Sequence, residues 1–269
     1  MRIDVGGLEV AVETVGAGPE AVLFVHGLGS SRAIWKDAPG FFDPRRHRLV
    51  LVDLPGAGES DAPEAHDFSM TSMADALEKV LAALGIGATH LVAHSMGGAV
   101  ALLVASRGRI EPLSFASAEG NLVSEDAFMS SKVARLKEAA FVRVFTKWLR
   151  MAEESLGPDR TATHETFLAS LGATKPHALH RASVSCLELT RSGELGRLWS
   201  GLACPRLYVA GEKTRAARGL PAPVVESGCE VVTVPGAGHF VMGAGPGFYA
   251  PVRRFVDACD RAQSGMSSE

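Results

Sequence analysis

The sequence predicts an α/β fold: a mostly parallel central sheet flanked by helices, with a helical lid inserted in the middle of the chain. Three observations carry this expectation. Short, continuous apolar runs at 21–25 (AVLFV) and 48–52 (RLVLV) suit strands buried on both faces. Helical periodicity alternates with such runs through residues 1–121, the pattern of strand–helix–strand crossovers. From 122 to 200 strand signals lapse, and they return only after Pro205. The implied organisation is a core in two parts, 1–121 and 201–269, around a lid or cap at 122–200.

Taken in order, the N-terminal stretch alternates polar and apolar residues and carries acids early, which suits a first strand at 8–15 rather than a secretion leader. GAGP at 16–19 predicts a hairpin turn after it. Residues 71–84 place Met73, Leu77, Val80, Leu81 and Leu84 on one helical face, with Thr71 or Ser69 as the cap and Gly85 as the stop. A strand at 90–93 runs directly into a helix at 96–106, and another strand follows at 113–118. In the lid, Met129, Val133, Leu136, Ala140, Val144 and Trp148 recur at helical spacing. Lys132, Arg135, Arg143 and Lys147 lie between them, which predicts one amphipathic helix with a basic flank. Strands at 206–210 and 231–234 and a helix at 248–261 close the core. SGMSSE, at 264–269, reads as a frayed tail.

Composition narrows the function classes. The formal charge is −3 over 269 residues, so there is no basic footprint for nucleic acid. No apolar run approaches the roughly 20 residues of a membrane span. Cys186, Cys204, Cys229 and Cys259 are scattered without CxxC spacing, which points to reduced thiols and a cytoplasmic setting rather than metal ligation. His164, His177 and His180 lack an acid or cysteine at ligand spacing and read as solvated lid residues. GAGES at 56–60 lacks the Lys-Ser/Thr ending of a phosphate loop. No metal or cofactor is implied; a small molecule is the expected partner, and the oligomeric state is left open.

The stretch LVAHSMGGAV at 91–100 carries the chemistry. A buried strand meets a helix of small residues at Ala93-His94-Ser95-Met96-Gly97. A nucleophilic serine on so tight a turn needs small residues two before and two after it, here Ala93 and Gly97. The helix N-terminus then favours negative charge on the serine oxygen.

Four segments together resemble the α/β-hydrolase family: HGLG at 26–29, DLPGAGES at 53–60, HSMGG at 94–98 and PGAGHF at 235–240. The resemblance implies Ser95 as nucleophile and His239 as the general base that takes its proton. It also implies an oxyanion hole from the backbone N–H groups of Leu28 and Met96. His26 and His94 are expected to be structural.

One position departs from the family. The acid that orients the histidine usually follows the strand at 206–210, but this chain reads Gly211-Glu212-Lys213-Thr214-Arg215. Threonine cannot stabilise an imidazolium by charge. Glu119, after the strand at 113–118, resembles the placement in zearalenone-type lactonases and certain dehalogenases, and is the expected acid. Glu212 is the alternative.

The expected activity is hydrolysis of a carboxylic ester, lactone or thioester through an acyl-serine intermediate. Phe128, Met129, Phe141, Phe145 and Trp148 of the lid offer an apolar surface over Ser95 for binding the substrate. Two other classes share these residues: a non-hydrolytic enzyme on the same scaffold (acyltransferase, cyclase, lyase or carbon–carbon hydrolase), and a slow-turnover ligand receptor.

Overall fold

The computed structural model describes residues 1–157 and 160–266. Strands β1 (Arg2–Asp4), β2 (Glu9–Val15), β3 (Glu20–Val25) and β4 (His47–Val52) come first. Helix α1 (Met70–Ala83), β5 (Ala88–His94), α2 (Met96–Ser106) and β6 (Glu111–Ala118) follow. The inserted segment contains α3 (Phe128–Val133), α4 (Glu138–Ser155), α5 (Ala162–Ala173), α6 (Pro176–Arg191) and α7 (Glu194–Gly201). The chain closes with β7 (Arg206–Gly211), α8 (Glu212–Arg218), α9 (Ala222–Glu226), β8 (Glu230–Val234) and α10 (Pro246–Met266). Helix α10 therefore takes in part of the expected tail at 264–269, and 267–269 lie outside the described residues.

The strands form one eight-stranded sheet in the order β1-β2-β4-β3-β5-β6-β7-β8. Strands β4, β3, β5, β6, β7 and β8 run parallel to one another, whereas β2 pairs antiparallel with both β1 and β4. Val22, Leu23, Phe24 and Val25 of β3 are fully buried, as a strand covered on both faces requires. Val25 pairs with Ala93, so the chain leaves β3 and β5 side by side at the C-terminal edge of the sheet. Among the described residues, no helix is long and apolar enough to cross a membrane.

Two local expectations are corrected. GAGP at 16–19 does not form a hairpin, because β4 lies between β2 and β3. The segment instead crosses tightly over the approach to β4. A Cβ on Gly16 would sit 2.3 Å from the His47 carbonyl oxygen, and one on Gly18 2.0 Å from the Arg46 carbonyl carbon. The glycines serve a close crossing, not a two-strand turn.

The amphipathic segment from 129 to 148 is two helices, α3 and α4, broken at 134–137. Lys137 takes an extended conformation, and the exposed Leu136 carbonyl accepts a hydrogen bond of 2.7 Å from His180 Nε2. His180 is thus a buried capping residue of the break rather than a solvated lid histidine. Arg181 then fastens α6 to the core, pairing with Glu138 and donating to the Glu64 and His66 carbonyls. Helix α7 packs on the sheet side, with Trp199 buried against Phe115 and Tyr208.

Candidate active site

Strand β5 ends at His94 and α2 begins at Met96, leaving Ser95 alone between them with φ 53° and ψ −125°. A non-glycine residue in this region is strained by roughly 1–3 kcal/mol and persists only where its surroundings over-determine it. They do so here. Ser95 N donates to the Ala118 carbonyl at 3.0 Å, and its own carbonyl accepts from Gly98 at 2.8 Å and Asn121 at 3.2 Å. Gly97 is obligatory, since a Cβ there would lie 2.3 Å from the His26 carbonyl oxygen. Ala93, the small residue two before the serine, is fully buried.

His239 lies in the loop after β8, with Nε2 3.1 Å from Ser95 Oγ. The loop is held from below: His94 Nε2 donates to the His239 carbonyl at 3.0 Å. Burial holds the His94 imidazole well below its usual range, and the neighbouring His239 adds to this. His94 therefore stays a neutral donor. His26 is equally structural. Its Nδ1–H donates to the Gly27 carbonyl at 2.8 Å, and its Nε2 accepts from Leu54 N at 3.0 Å, tying the loop at 26–29 to the one at 53–60.

Glu119 follows β6 at φ 50°, a second strained non-glycine residue. Its Oε1 accepts from Gly211 N at 2.6 Å, and its Oε2 stands 3.5 Å from His239 Nδ1. Burial raises this carboxyl to about 7; the Gly211 N–H, the Thr214 hydroxyl and the Arg218 charge pull the other way. His239 is lowered to about 4, chiefly by burial and then by Arg218. Near neutrality the imidazole is unprotonated and can accept a proton. Glu212 is directed elsewhere: its Oε2 accepts from Gly236 N at 2.8 Å on the exposed face of the loop. The structure thus brings Glu119, and not Glu212, to the imidazole.

The N–H groups of Leu28 and Met96 have no hydrogen-bond acceptor among the described residues. Both residues line the same cavity as Ser95 and His239, a space of about 790 Å³. Phe128 and Trp148 line it too, as expected, together with Met129. Phe141 and Phe145 do not. Phe141 is fully buried, with ring centroids 5.7 Å from Phe145 and 5.5 Å from Trp148. The expectation that these two rings bind substrate is corrected: they form the packing behind Trp148, because the break at 134–137 turns that face of α4 inward.

Several residues at the site carried no readable sequence signal. Asn121 Oδ1 accepts from the Ser95 hydroxyl at 3.3 Å, and its Nδ2 donates to the buried Cys186 Sγ at 3.4 Å. Arg218 lies over the Phe128 ring at 4.3 Å, while Phe128 stands edge-on to His239. Phe167 and Phe240 complete the apolar wall. Among these only Asn121 had a clue, its place in the bend after Glu119.

Comparison with known proteins agrees with the fold. A family model described as alpha/beta hydrolase fold matches residues 20–201. The acetyltransferase component of the acetoin cleaving system of Cupriavidus necator is 33% identical over 49% of this chain and 37% of its own length. Pimeloyl-[acyl-carrier protein] methyl ester esterase of Aeromonas salmonicida is 38% identical over 35% of this chain and 35% of its own. The chain thus spans little more than a third of the length of these curated relatives. Among solved structures, an N-acyl homoserine lactonase complexed with N-hexanoyl homoserine superposes with a TM-score of 0.73. That match has 22% identity and covers 96% of both chains, which shows a shared fold.

Proposed function

Since the chain belongs to the α/β-hydrolase fold family, we propose that it is a serine hydrolase cleaving a carboxylic ester, lactone or thioester of an apolar small molecule. Ser95 attacks the acyl carbon while His239 Nε2 takes the hydroxyl proton. The oxyanion of the tetrahedral intermediate receives the Leu28 and Met96 N–H groups. His239 then protonates the leaving group, and an acyl-Ser95 intermediate remains. Water activated by His239 releases the acid and restores the serine.

Glu119 supports both steps by stabilising the imidazolium and fixing its orientation. Its contact at 3.5 Å is long in the resting state; such catalytic hydrogen bonds tighten as charge develops. The helical segment 122–200 serves as the lid, with Phe128 and Trp148 taking the apolar portion of the substrate.

The observation that carries the reading is the chain of contacts from Ser95 Oγ through His239 to Glu119, opening on one side to unpaired N–H donors. Labelling with a fluorophosphonate and mapping the adduct tests it. An adduct on Ser95, slowed when an ester substrate is present before the reagent, supports the proposal; an unlabelled protein contradicts it. A p-nitrophenyl ester series tests the lid, since activity confined to the acetate excludes an apolar acyl site.

A further inference from the structure

At the opposite edge of the sheet, where β3 and β4 begin, lies a second buried cluster of titratable groups. Glu20 and His47 are the first residues of the two strands and are paired in register. Asp257 and Asp260, one helical turn apart on α10, face them. His47 is 1% exposed. Its Nδ1 lies 3.3 Å from the Asp43 carbonyl oxygen, which can only accept, so Nδ1 carries the proton. Nε2 consequently presents a lone pair to the carboxylates. It makes no hydrogen bond among the described residues, although Asp257 Oδ1 lies at 3.3 Å, Glu20 Oε2 at 3.6 Å and Asp260 Oδ2 at 4.0 Å.

An imidazole lone pair turned toward carboxylate oxygens is repelled by them unless a proton or a cation lies between. We propose that His47 Nε2, Glu20 Oε2 and Asp260 Oδ2 form a binding site for a divalent transition metal of the zinc class, with water completing the coordination and Asp257 beside it. The Glu20, His47 and Asp260 donor atoms all lie within 4.8 Å of one another. In a tetrahedral site with metal–ligand bonds of about 2.0–2.2 Å, donor atoms stand roughly 3.3–3.6 Å apart. The observed separations from Nε2 need little adjustment to reach that.

The surroundings are those of oriented ligands. A metal-binding imidazole usually donates its other N–H to a carbonyl or carboxylate, as His47 does to Asp43. Asp260 Oδ1 is held by His90 Nε2 at 2.6 Å, and Asp257 Oδ2 by Arg253. An imidazole nitrogen among the donors favours zinc-like metals over magnesium. Burial and the neighbouring Asp260 push the Glu20 carboxyl up to about 7, consistent with excess negative charge in the cluster. The half-exposed Arg46 also reaches it, 3.5 Å from Glu20 and 3.7 Å from each aspartate.

The metal would pin α10 to the start of β3 and β4. Its role is structural, because β3 carries the chain about 20 Å from this edge to the loop beside Ser95.

The test uses the whole protein stripped with EDTA and titrated with Zn²⁺, with Mg²⁺ as control, followed by calorimetry and metal analysis of the desalted protein. The expected result is one zinc per chain, a melting temperature several degrees higher with zinc, and no response to magnesium. Zinc affinity should fall roughly 10-fold or more in both His47→Gln and Glu20→Gln, while ester turnover of the wild type is unchanged by stripping. Either variant suffices if the other does not fold. The proposal is overturned by substoichiometric zinc with an unmoved melting temperature, or by both variants binding zinc as the wild type does. These readouts are independent of the Ser95 chemistry.

Discussion

The Thr214 hydroxyl acts on the Glu119 carboxyl, drawing its pKa down, and Oε2 of that carboxyl faces His239 Nδ1 at 3.5 Å. Thr214 occupies the position where the related pattern places its acid. The two residues therefore exchange duties: the carboxylate moves to the end of β6, and a hydroxyl on α8 steadies it. Glu119→Gln keeps the shape and the acceptor for Gly211 N–H but removes the charge. Turnover should fall by up to about 10⁴, whereas Glu212→Gln should stay within roughly threefold of wild type, as a surface hydrogen bond warrants. Steady-state kcat on one ester decides between them; the reverse pattern reassigns the acid.

The same carboxylate costs stability. Its pKa is raised from 4.5 to about 7, so the folded state holds a proton that the unfolded chain releases. Its favourable contribution is complete below pH 4.5 and is lost as pH rises through about 7. A shift of this size corresponds to something on the order of 3 kcal/mol. Glu119→Gln should therefore melt higher than wild type at pH 8 and match it near pH 4. Thermal melts across that range check it, and equal gains at both ends count against it.

His239 shifts the opposite way, from 6.5 to about 4. The unfolded chain then binds more protons between these values, so stability and the unprotonated, active fraction both rise with pH across that window. Turnover needs an unprotonated imidazole and an ionised Glu119 together, so the acid limb of wild-type kcat/KM should follow the carboxyl, with its midpoint near 7, and only the residual activity of Glu119→Gln should persist well below 6.5. A wild-type midpoint near 4.5 contradicts the burial of Glu119.

Ser95, the proposed nucleophile, holds a backbone conformation that suits glycine better. Ser95→Gly should abolish turnover yet stabilise the fold by about 1–3 kcal/mol. Denaturant unfolding measures the difference. A destabilised glycine variant would mean that the serine side chain, not the backbone, holds the elbow.

Trp148 and Phe141 separate binding from packing. Trp148→Ala should raise KM for long acyl chains with a smaller change in kcat, because the ring lines the cavity. Phe141→Ala should instead lower stability by about 3–5 kcal/mol with KM little altered. A chain-length series and melts of both variants distinguish the roles.

The legible parts of the molecule were those where local chemistry leaves one solution. Buried strands such as 21–25 need continuous apolar runs, the elbow needs Gly97, and the loops at 26–29 and 235–240 stand out by their glycines. The helix at 71–84 was read with Ser69 among its caps, and Ser69 Oγ does accept from Ser72 N. Tertiary decisions were not legible. Nothing in GAGP tells that β4 will intervene between β2 and β3. The periodicity from 129 to 148 runs through the break although Leu136 and Val144 of that stripe are exposed, and it is the distant His180 that caps the turn between the two helices. Phe141 and Trp148 share a helical pattern, and only the direction of α4 decides which one meets the cavity. Asn121 and Thr214 act through partners far away in sequence.

The most direct measurement is rapid-quench mass spectrometry of the enzyme with an excess of a p-nitrophenyl ester. The expected result is a burst of nitrophenol matched by an acyl group on the peptide containing Ser95, absent in Ser95→Ala and in His239→Ala. Turnover without any acylated peptide, or an acyl group at another residue, contradicts the assignment.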